Sequence, residues 1–212
     1  MTIFLDSANL DEAQAARGMG WVHGLTTNPV LLRQSGLPAA DALANLSALG
    51  FPCLFYQLTA GSLNDMEAEA EIAQGIIGDA LVLKVAPHAA GLRFLARKSS
   101  KYSCCLTAVY SAAQAMAAQC AGARYVAVYV NRATRLLGDG ISLTSEISAV
   151  LKGSEVKIVA ASLKSPQEAV AAHLAGAHDL TLPFAVLQDF ARHPLSDQTI
   201  DEFASSGIGL VP

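Results

Sequence analysis

The chain has 212 residues, of which 52% are hydrophobic, 15% charged and 6% aromatic, a composition that excludes disorder and fits one compact domain, or at most two small ones. Charged residues make up about a quarter of an ordinary globular domain, so the surface is short of them and self-association is the expected cover. The formal charge of −4, from 14 basic and 18 acidic residues, comes with no basic run and no aromatic-basic interleaving, which argues against a nucleic-acid partner.

Ser103 to Ala123 is uncharged and about as long as a bilayer span. Thr107, Tyr110, Ser111, Gln114 and Gln119 interrupt it, however, with little Leu, Ile or Phe to offset their cost in lipid. The N-terminus, MTIFLDSANLDEAQ, has no basic region and places acids where a signal peptide needs apolar residues. These features predict a soluble, cytoplasmic protein with no membrane partner. Cys53, Cys104, Cys105 and Cys120 show no CxxC spacing and read as small buried thiols. His173 and His178 do not have the spacing that puts two ligands on one helical face. No metal site is indicated and no cofactor is expected.

In chain order, IFLDS (Ile3 to Ser7) reads as a strand, followed by a helix from Leu10 to Gly18 in which Asn9 and Glu12 have capping-box spacing. The glycines of GMG at Gly18 to Gly20 follow that helix, where they read as its terminating turn and not as a dinucleotide loop. HGLTT (His23 to Thr27) is the second strand, with a helix at Ala39 to Ala48. PCLFYQL (Pro52 to Leu58) is the third, with a helix at Ser62 to Ile76. ALVLKVA (Ala80 to Ala86) is the fourth, with a helix at Ala89 to Lys98. YSCCLTAV (Tyr102 to Val109) precedes a helix at Ser111 to Ala121, and YVAVYV (Tyr125 to Val130) precedes one at Ile141 to Leu151. VKIVAAS (Val156 to Ser162) is followed by a helix at Ser165 to Leu174, opened by a Ser-Pro cap. HDLTLP (His178 to Pro183) is followed by Pro183 to Arg192, and Asp197 to Ala204 forms a short further helix in the tail.

Continuous apolar strands are those buried on both faces. Eight of them, alternating with helices, predict a closed (β/α)8 barrel, with residues 1–193 as the barrel and 194–212 as a C-terminal helix and tail. Chemistry in such barrels sits at the C-terminal ends of the strands. There the chain places Asp6, then Thr26, Thr27 and Asn28, then Gln57, Lys84, Thr107, Tyr129 followed by Asn131 and Arg132, and Ser162. Repeated burial of polar groups at one rim is costly without a use. Lys84, inside LVLKVA, stands out among six lysines, the others lying on helices, loops or strand edges. A lysine kept from water is a nucleophile able to form a Schiff base with a carbonyl; the alternative is a structural ion pair with Asp6. Asp6 suits proton transfer, while Gln57, Thr107 and Tyr129 suit positioning a water. Arg132, near Ser162 in barrel order, suits a substrate phosphate, or else is a solvated loop charge.

At these residues the sequence resembles the small transaldolases and fructose-6-phosphate aldolases, Schiff-base enzymes on a (β/α)8 barrel. The matching segments are FLDSANLDE (Phe4 to Glu12), GLTTNP (Gly24 to Pro29), LKV (Leu83 to Val85), LTAVYSAAQA (Leu106 to Ala115), AGARYVAVYVNR (Ala121 to Arg132) and AASLKSPQEA (Ala160 to Ala169). The resemblance implies Lys84 as the Schiff-base lysine, Asp6 as its acid/base partner, Thr26 and Asn28 as contacts to substrate hydroxyls, and Arg132 and Ser162 as phosphate contacts. Transaldolases in the family usually carry Glu and Phe at the positions of Gln57 and Tyr129. The residues present match the aldolase pattern, in which Gln57, Thr107 and Tyr129 hold a catalytic water. After the lysine the chain departs from the family, reading KVAPHAAGL with His88 and Ala90 where a polar pair is usual. The resemblance also implies a homo-oligomer, a pentamer or decamer in which the last helix packs on a neighbouring subunit. Three functions follow: a sugar-phosphate aldolase that releases dihydroxyacetone, a transaldolase of the pentose phosphate pathway, and a non-catalytic sugar-phosphate-binding barrel.

Overall fold

A computed structural model describes residues 1–208. Eight parallel strands, β1 (Thr2–Asp6), β2 (Gly24–Thr26), β3 (Leu54–Gln57), β4 (Leu81–Val85), β5 (Ser103–Val109), β6 (Tyr125–Tyr129), β7 (Lys157–Ala161) and β8 (Asp179–Leu182), pair in chain order and close through β1 and β8. The helices among the described residues are α1 (Leu10–Gly18), α2 (Pro29–Gln34), α3 (Ala39–Ser47), α4 (Leu63–Ile77), α5 (Ala89–Lys98), α6 (Ala112–Cys120), α7 (Val130–Leu137), α8 (Gly140–Val150), α9 (Pro166–Leu174), α10 (Phe184–Phe190) and α11 (Pro194–Ser206). The expected (β/α)8 barrel is the observed fold. None of these helices is long and apolar enough to cross a membrane.

The alternation of side chains along each strand divides the apolar residues into two cores. Leu5, Leu25, Leu54, Leu83, Leu106, Val126 and Ile158 pack with the helices in the outer core. Phe4, Phe55, Val82, Cys105, Tyr125, Ala127 and Val159, on the opposite parity, fill the barrel itself. Phe55 is met edge-on by Phe4 at 5.2 Å and by Tyr125 at 5.3 Å between ring centroids. Gly24 makes room for this packing: a Cβ there would lie 2.5 Å from the Cys53 carbonyl oxygen and 3.0 Å from the Phe4 ring. Two residues above this layer, the inward parity reaches Asp6, Thr26, Gln57, Lys84, Thr107, Tyr129 and Thr181. One apolar layer therefore separates the rim groups from the bottom of the barrel.

The loops after the odd-numbered strands are tied down by side chains of the helices that follow. After β1, the Ser7 hydroxyl donates to Glu12. After β5, Tyr110 N–H donates to Gln114 at 2.8 Å, and after β7 Lys164 N–H donates to Glu168 at 2.7 Å. Glu12, Gln114 and Glu168 each stand at the third position of a helix capped by Asn9, Ser111 or Ser165, a spacing visible in the sequence. After β3 the tie comes from deeper in the helix, at Glu69 of α4.

The structure corrects several readings. α2 and α7 are helices where loops were expected, so Asn131 and Arg132 lie on the first turn of α7. Ser162 is one residue beyond β7. α11 is longer than Asp197 to Ala204 and buries none of its residues, and residues 209–212 of the expected tail lie outside the described residues. Cys104 and Cys105 are buried, which pushes both thiols up to about 12. Cys53 is only half-buried and Cys120 is exposed. The GMG segment does end α1, with Gly20 left-handed at φ 75°.

Candidate active site

Lys84 is the charged residue of β4, a strand buried along its whole length. Its ammonium reaches the C-terminal rim, where Nζ donates to the Thr27 carbonyl oxygen at 2.8 Å. The ion pairs among the described residues, Lys98–Glu67, Lys101–Glu71 and Arg192–Asp197, are all elsewhere, so the expected alternative of a Lys84–Asp6 ion pair is not formed. The two groups instead face a common recess of about 350 Å³ including its open mouth, which Thr26, Asn28, Phe55, Tyr129 and Thr181 also line. The ammonium is thus held by one backbone oxygen and faces the recess.

Asp6 ends β1, and burial raises its carboxyl above the usual 3.8 more than the nearby Lys84 charge, the Thr26 hydrogen bond and Lys164 lower it. The Thr26 hydroxyl donates to Asp6 Oδ1 at 2.9 Å and lies 2.5 Å from the Thr181 hydroxyl. Since Thr26 has one proton and spends it on Asp6, Thr181 donates to Thr26, giving a relay that fixes the carboxyl. Thr26, expected to meet a substrate hydroxyl, is here the residue that orients Asp6. Asn28 caps α2: its Oδ1 accepts from Val30 N–H at 3.0 Å and Leu31 N–H at 3.1 Å. With that oxygen spent, the Nδ2 group is the end left to donate into the recess.

Across the rim, the Thr107 and Tyr129 hydroxyls lie 3.3 Å apart. The Tyr129 ring is held by the edge of Tyr110, 6.0 Å away, and by the Arg132 guanidinium, 5.2 Å from its centroid. β5 shifts register against β6 between Leu106 and Val109, and Ala108 inside the shift is left-handed at φ 55°. Such a bulge re-aims its neighbours, here Thr107. Gln57 is the register partner of Lys84 on β3, and Leu58 N–H donates to the Lys84 carbonyl at 2.9 Å. Among the described residues Ser162 is the other non-glycine with positive φ, at 62°, so both strained residues sit near the ends of strands on this rim.

The structure thus gathers Asp6, Thr26, Asn28, Lys84 and Tyr129 in one recess and attaches Thr107 to it through Tyr129. Gln57 adjoins it on β3. Arg132 and Ser162 stand outside the lining, Arg132 joined to it through the Tyr129 ring. Sequence reasoning missed Thr181, whose signal was the alternation of Asp179 and Thr181 in HDLTLP.

An eight-stranded parallel barrel whose lysine, carboxylic acid and hydroxyls converge at the C-terminal strand ends has the build of a barrel enzyme. Comparison with known proteins narrows that class. The family model described as transaldolase/fructose-6-phosphate aldolase matches residues 3–208. A probable transaldolase of Halalkalibacterium halodurans is 32% identical over 210 residues, covering 96% of this chain and 97% of the relative. Those of Heliobacterium modesticaldum and Alkaliphilus metalliredigens are 34% and 33% identical, the latter over the full length of both chains. The chain belongs to the transaldolase/fructose-6-phosphate aldolase family of enzymes.

Proposed function

We propose that the protein is a Schiff-base aldolase of sugar phosphates, cleaving a ketose such as fructose 6-phosphate reversibly to dihydroxyacetone and glyceraldehyde 3-phosphate. The observation that carries this reading is the Lys84 Nζ opening on the same recess as the raised Asp6 carboxyl and the Tyr129 hydroxyl. In this reaction the neutral Lys84 amine attacks the ketose carbonyl carbon, and Asp6 supplies the proton with which the carbonyl oxygen leaves as water. Asp6, now a carboxylate, takes the proton of the hydroxyl on the fourth carbon. The bond between the third and fourth carbons breaks, the aldehyde leaves, and its electron pair passes to an enamine on Lys84. Protonation of that enamine at the third carbon by a water held by Gln57, Thr107 and Tyr129, then hydrolysis, frees dihydroxyacetone and the lysine. Thr26 and Asn28 meet substrate hydroxyls, and Arg132 and Ser162 receive the phosphate, a role supported by the forked guanidinium standing 5.2 Å from the Tyr129 ring.

A transaldolase is the second reading, favoured by the name that the relatives carry. Its enamine waits for an acceptor aldehyde instead of a proton. The hydroxyl pair of Thr107 and Tyr129 supports the aldolase reading, because it offers the water an anchor that a Phe at position 129 lacks. A homo-oligomer, pentameric or decameric, is supported by Leu195, Ile200 and Phe203 of α11, all at least 60% exposed. The test is borohydride trapping with dihydroxyacetone or fructose 6-phosphate and peptide mapping, followed by a product assay without acceptor. An adduct on Lys84 and free dihydroxyacetone are expected. No adduct would sink the mechanism, and turnover only after erythrose 4-phosphate is added would make the protein a transaldolase.

A further inference from the structure

The carboxylate of Glu69, on the second turn of α4, accepts from four groups of the segment after β3. The Tyr56 hydroxyl donates at 2.6 Å, Thr59 N–H at 3.0 Å to both oxygens, the Thr59 hydroxyl at 3.0 Å and Ala60 N–H at 2.9 Å. None of the ion pairs among the described residues includes Glu69, so its charge is met by these neutral donors alone. The Tyr56 hydroxyl is held strongly protonated by its burial and by this carboxylate. The gripped residues, 56 and 59–60, bracket Gln57 and Leu58. Gln57 is the register partner of Lys84, and Leu58 N–H donates to the carbonyl oxygen of Lys84 itself.

β3 needs such a tether, for it is four residues long and pairs with β2 through only two register positions, Leu25 with Leu54 and Thr26 with Phe55. Its Phe55 carbonyl accepts from the Thr27 N–H at 3.0 Å and the Thr27 hydroxyl at 2.8 Å, and beyond that point its C-terminal end is held by β4 on one side and by Glu69 from outside. A carboxylate is suited to this position because it is acceptor-only, with about four lone-pair sites for four donors. An amide in its place turns two N–H donors toward groups that themselves donate; the exposed Thr59 groups can turn to water, but the part-buried Tyr56 hydroxyl and Ala60 N–H are left short of an acceptor.

We propose that Glu69 is a positioning residue for the aldol reaction: by clamping Tyr56, Thr59 and Ala60 it fixes Gln57 against Lys84, and so determines how efficiently the enamine is protonated and free ketone released. This rests on the Schiff-base reading above. It predicts that Glu69→Gln retains the Lys84 adduct and the transfer of the three-carbon unit to an added aldehyde, because neither needs Gln57. Release of free dihydroxyacetone without acceptor should fall about 10-fold in kcat, with KM nearly unchanged, so that the ratio of release to transfer drops. Glu69→Asp, which restores the charge on a shorter arm, should recover part of the ratio, and Tyr56→Phe, which removes one donor of the four, should lower it about two- to three-fold.

The measurement is that ratio in the full-length protein, with borohydride trapping of each variant run alongside. A merely structural role would lower release and transfer together. Equal loss of both, or an unchanged ratio, while the unsubstituted protein forms its Lys84 adduct, would overturn the clamp and leave the Schiff-base reading standing. Absence of the adduct in the unsubstituted protein would overturn both. Should Glu69→Gln not fold, Tyr56→Phe decides by the same ratio.

Discussion

The two ends of the barrel hold polar groups of similar kind in opposite states of use. At the bottom, Asp179 is 3% exposed and its carboxylate receives the Thr2 N–H at 2.7 Å, joining the first strand to the last. At the rim, Lys84 is 5% exposed but makes one bond to a backbone oxygen, Asp6 faces it without pairing, and the Tyr129 hydroxyl has one neighbour at 3.3 Å. The lower carboxylate is spent on architecture. The upper groups are held in place by others and keep bonding capacity in hand. Burial alone does not mark a site; several buried polar groups converging on one recess do.

Substitutions at the two ends should separate activity from stability. The largest effect is expected for Lys84→Met, which removes the nucleophile: turnover should fall to background, at least about 10³-fold, while thermal unfolding is unchanged or moves upward because a desolvated amine is gone. A large fall in melting temperature would mean that Lys84 is structural after all. Asp6→Asn should lower turnover by about 10² to 10⁴, the range for removing an acid/base group.

The same Asp6 variant tests the electrostatics of the rim. The carboxyl is raised in the folded state, so the stability associated with its protonated form is fully present below pH 3.8 and is lost as pH rises through the folded-state value. A neutral Asn does not suffer that loss. Melting curves of the two proteins should therefore coincide at low pH and separate toward pH 7, with Asp6→Asn the more stable; the opposite order at pH 7 would show that Asp6 is a structural anion. The smallest effect on chemistry is expected at the other end. Asp179→Ala leaves the Thr2 N–H unpaired at a cost of about 1–3 kcal/mol, lowering the melting temperature by about 2–10 °C for a chain of this size, with kcat changed less than two-fold. A loss of turnover larger than the loss of folded protein would erase the distinction between the two ends.

The eight strands were legible because burial on both faces leaves unbroken apolar runs, and Lys84 because it interrupts one of them. α7 was hidden by the same property: YVAVY runs straight into VNRATRLL, so the strand's apolar run continues into the first residue of the helix with no turn residue between them. α2 carried its signals, an Asn cap and a Pro at the first position, but they fall in GLTTNP, where Asn28 reads as a binding residue; the structure uses its two ends for separate purposes. The left-handed turns at Ala108 and Ser162 had no glycine or asparagine to announce them, because they are imposed by the barrel and not by local preference. Glu69 was invisible for a related reason: its four donors lie nine to thirteen positions back along the chain, beyond any capping pattern.

The bond between Thr2 and Asp179 joins residues 177 positions apart. A ring of strands has no edge only after its last member arrives, so until β8 has left the ribosome the outer sides of β1 and of the newest strand expose unpaired N–H and C=O groups. Loop closure over such a separation is entropically costly and slows folding. Any sheet formed before that point is open, with two adhesive margins. The interval before ring closure is therefore when it is most exposed to aggregation and most dependent on chaperones.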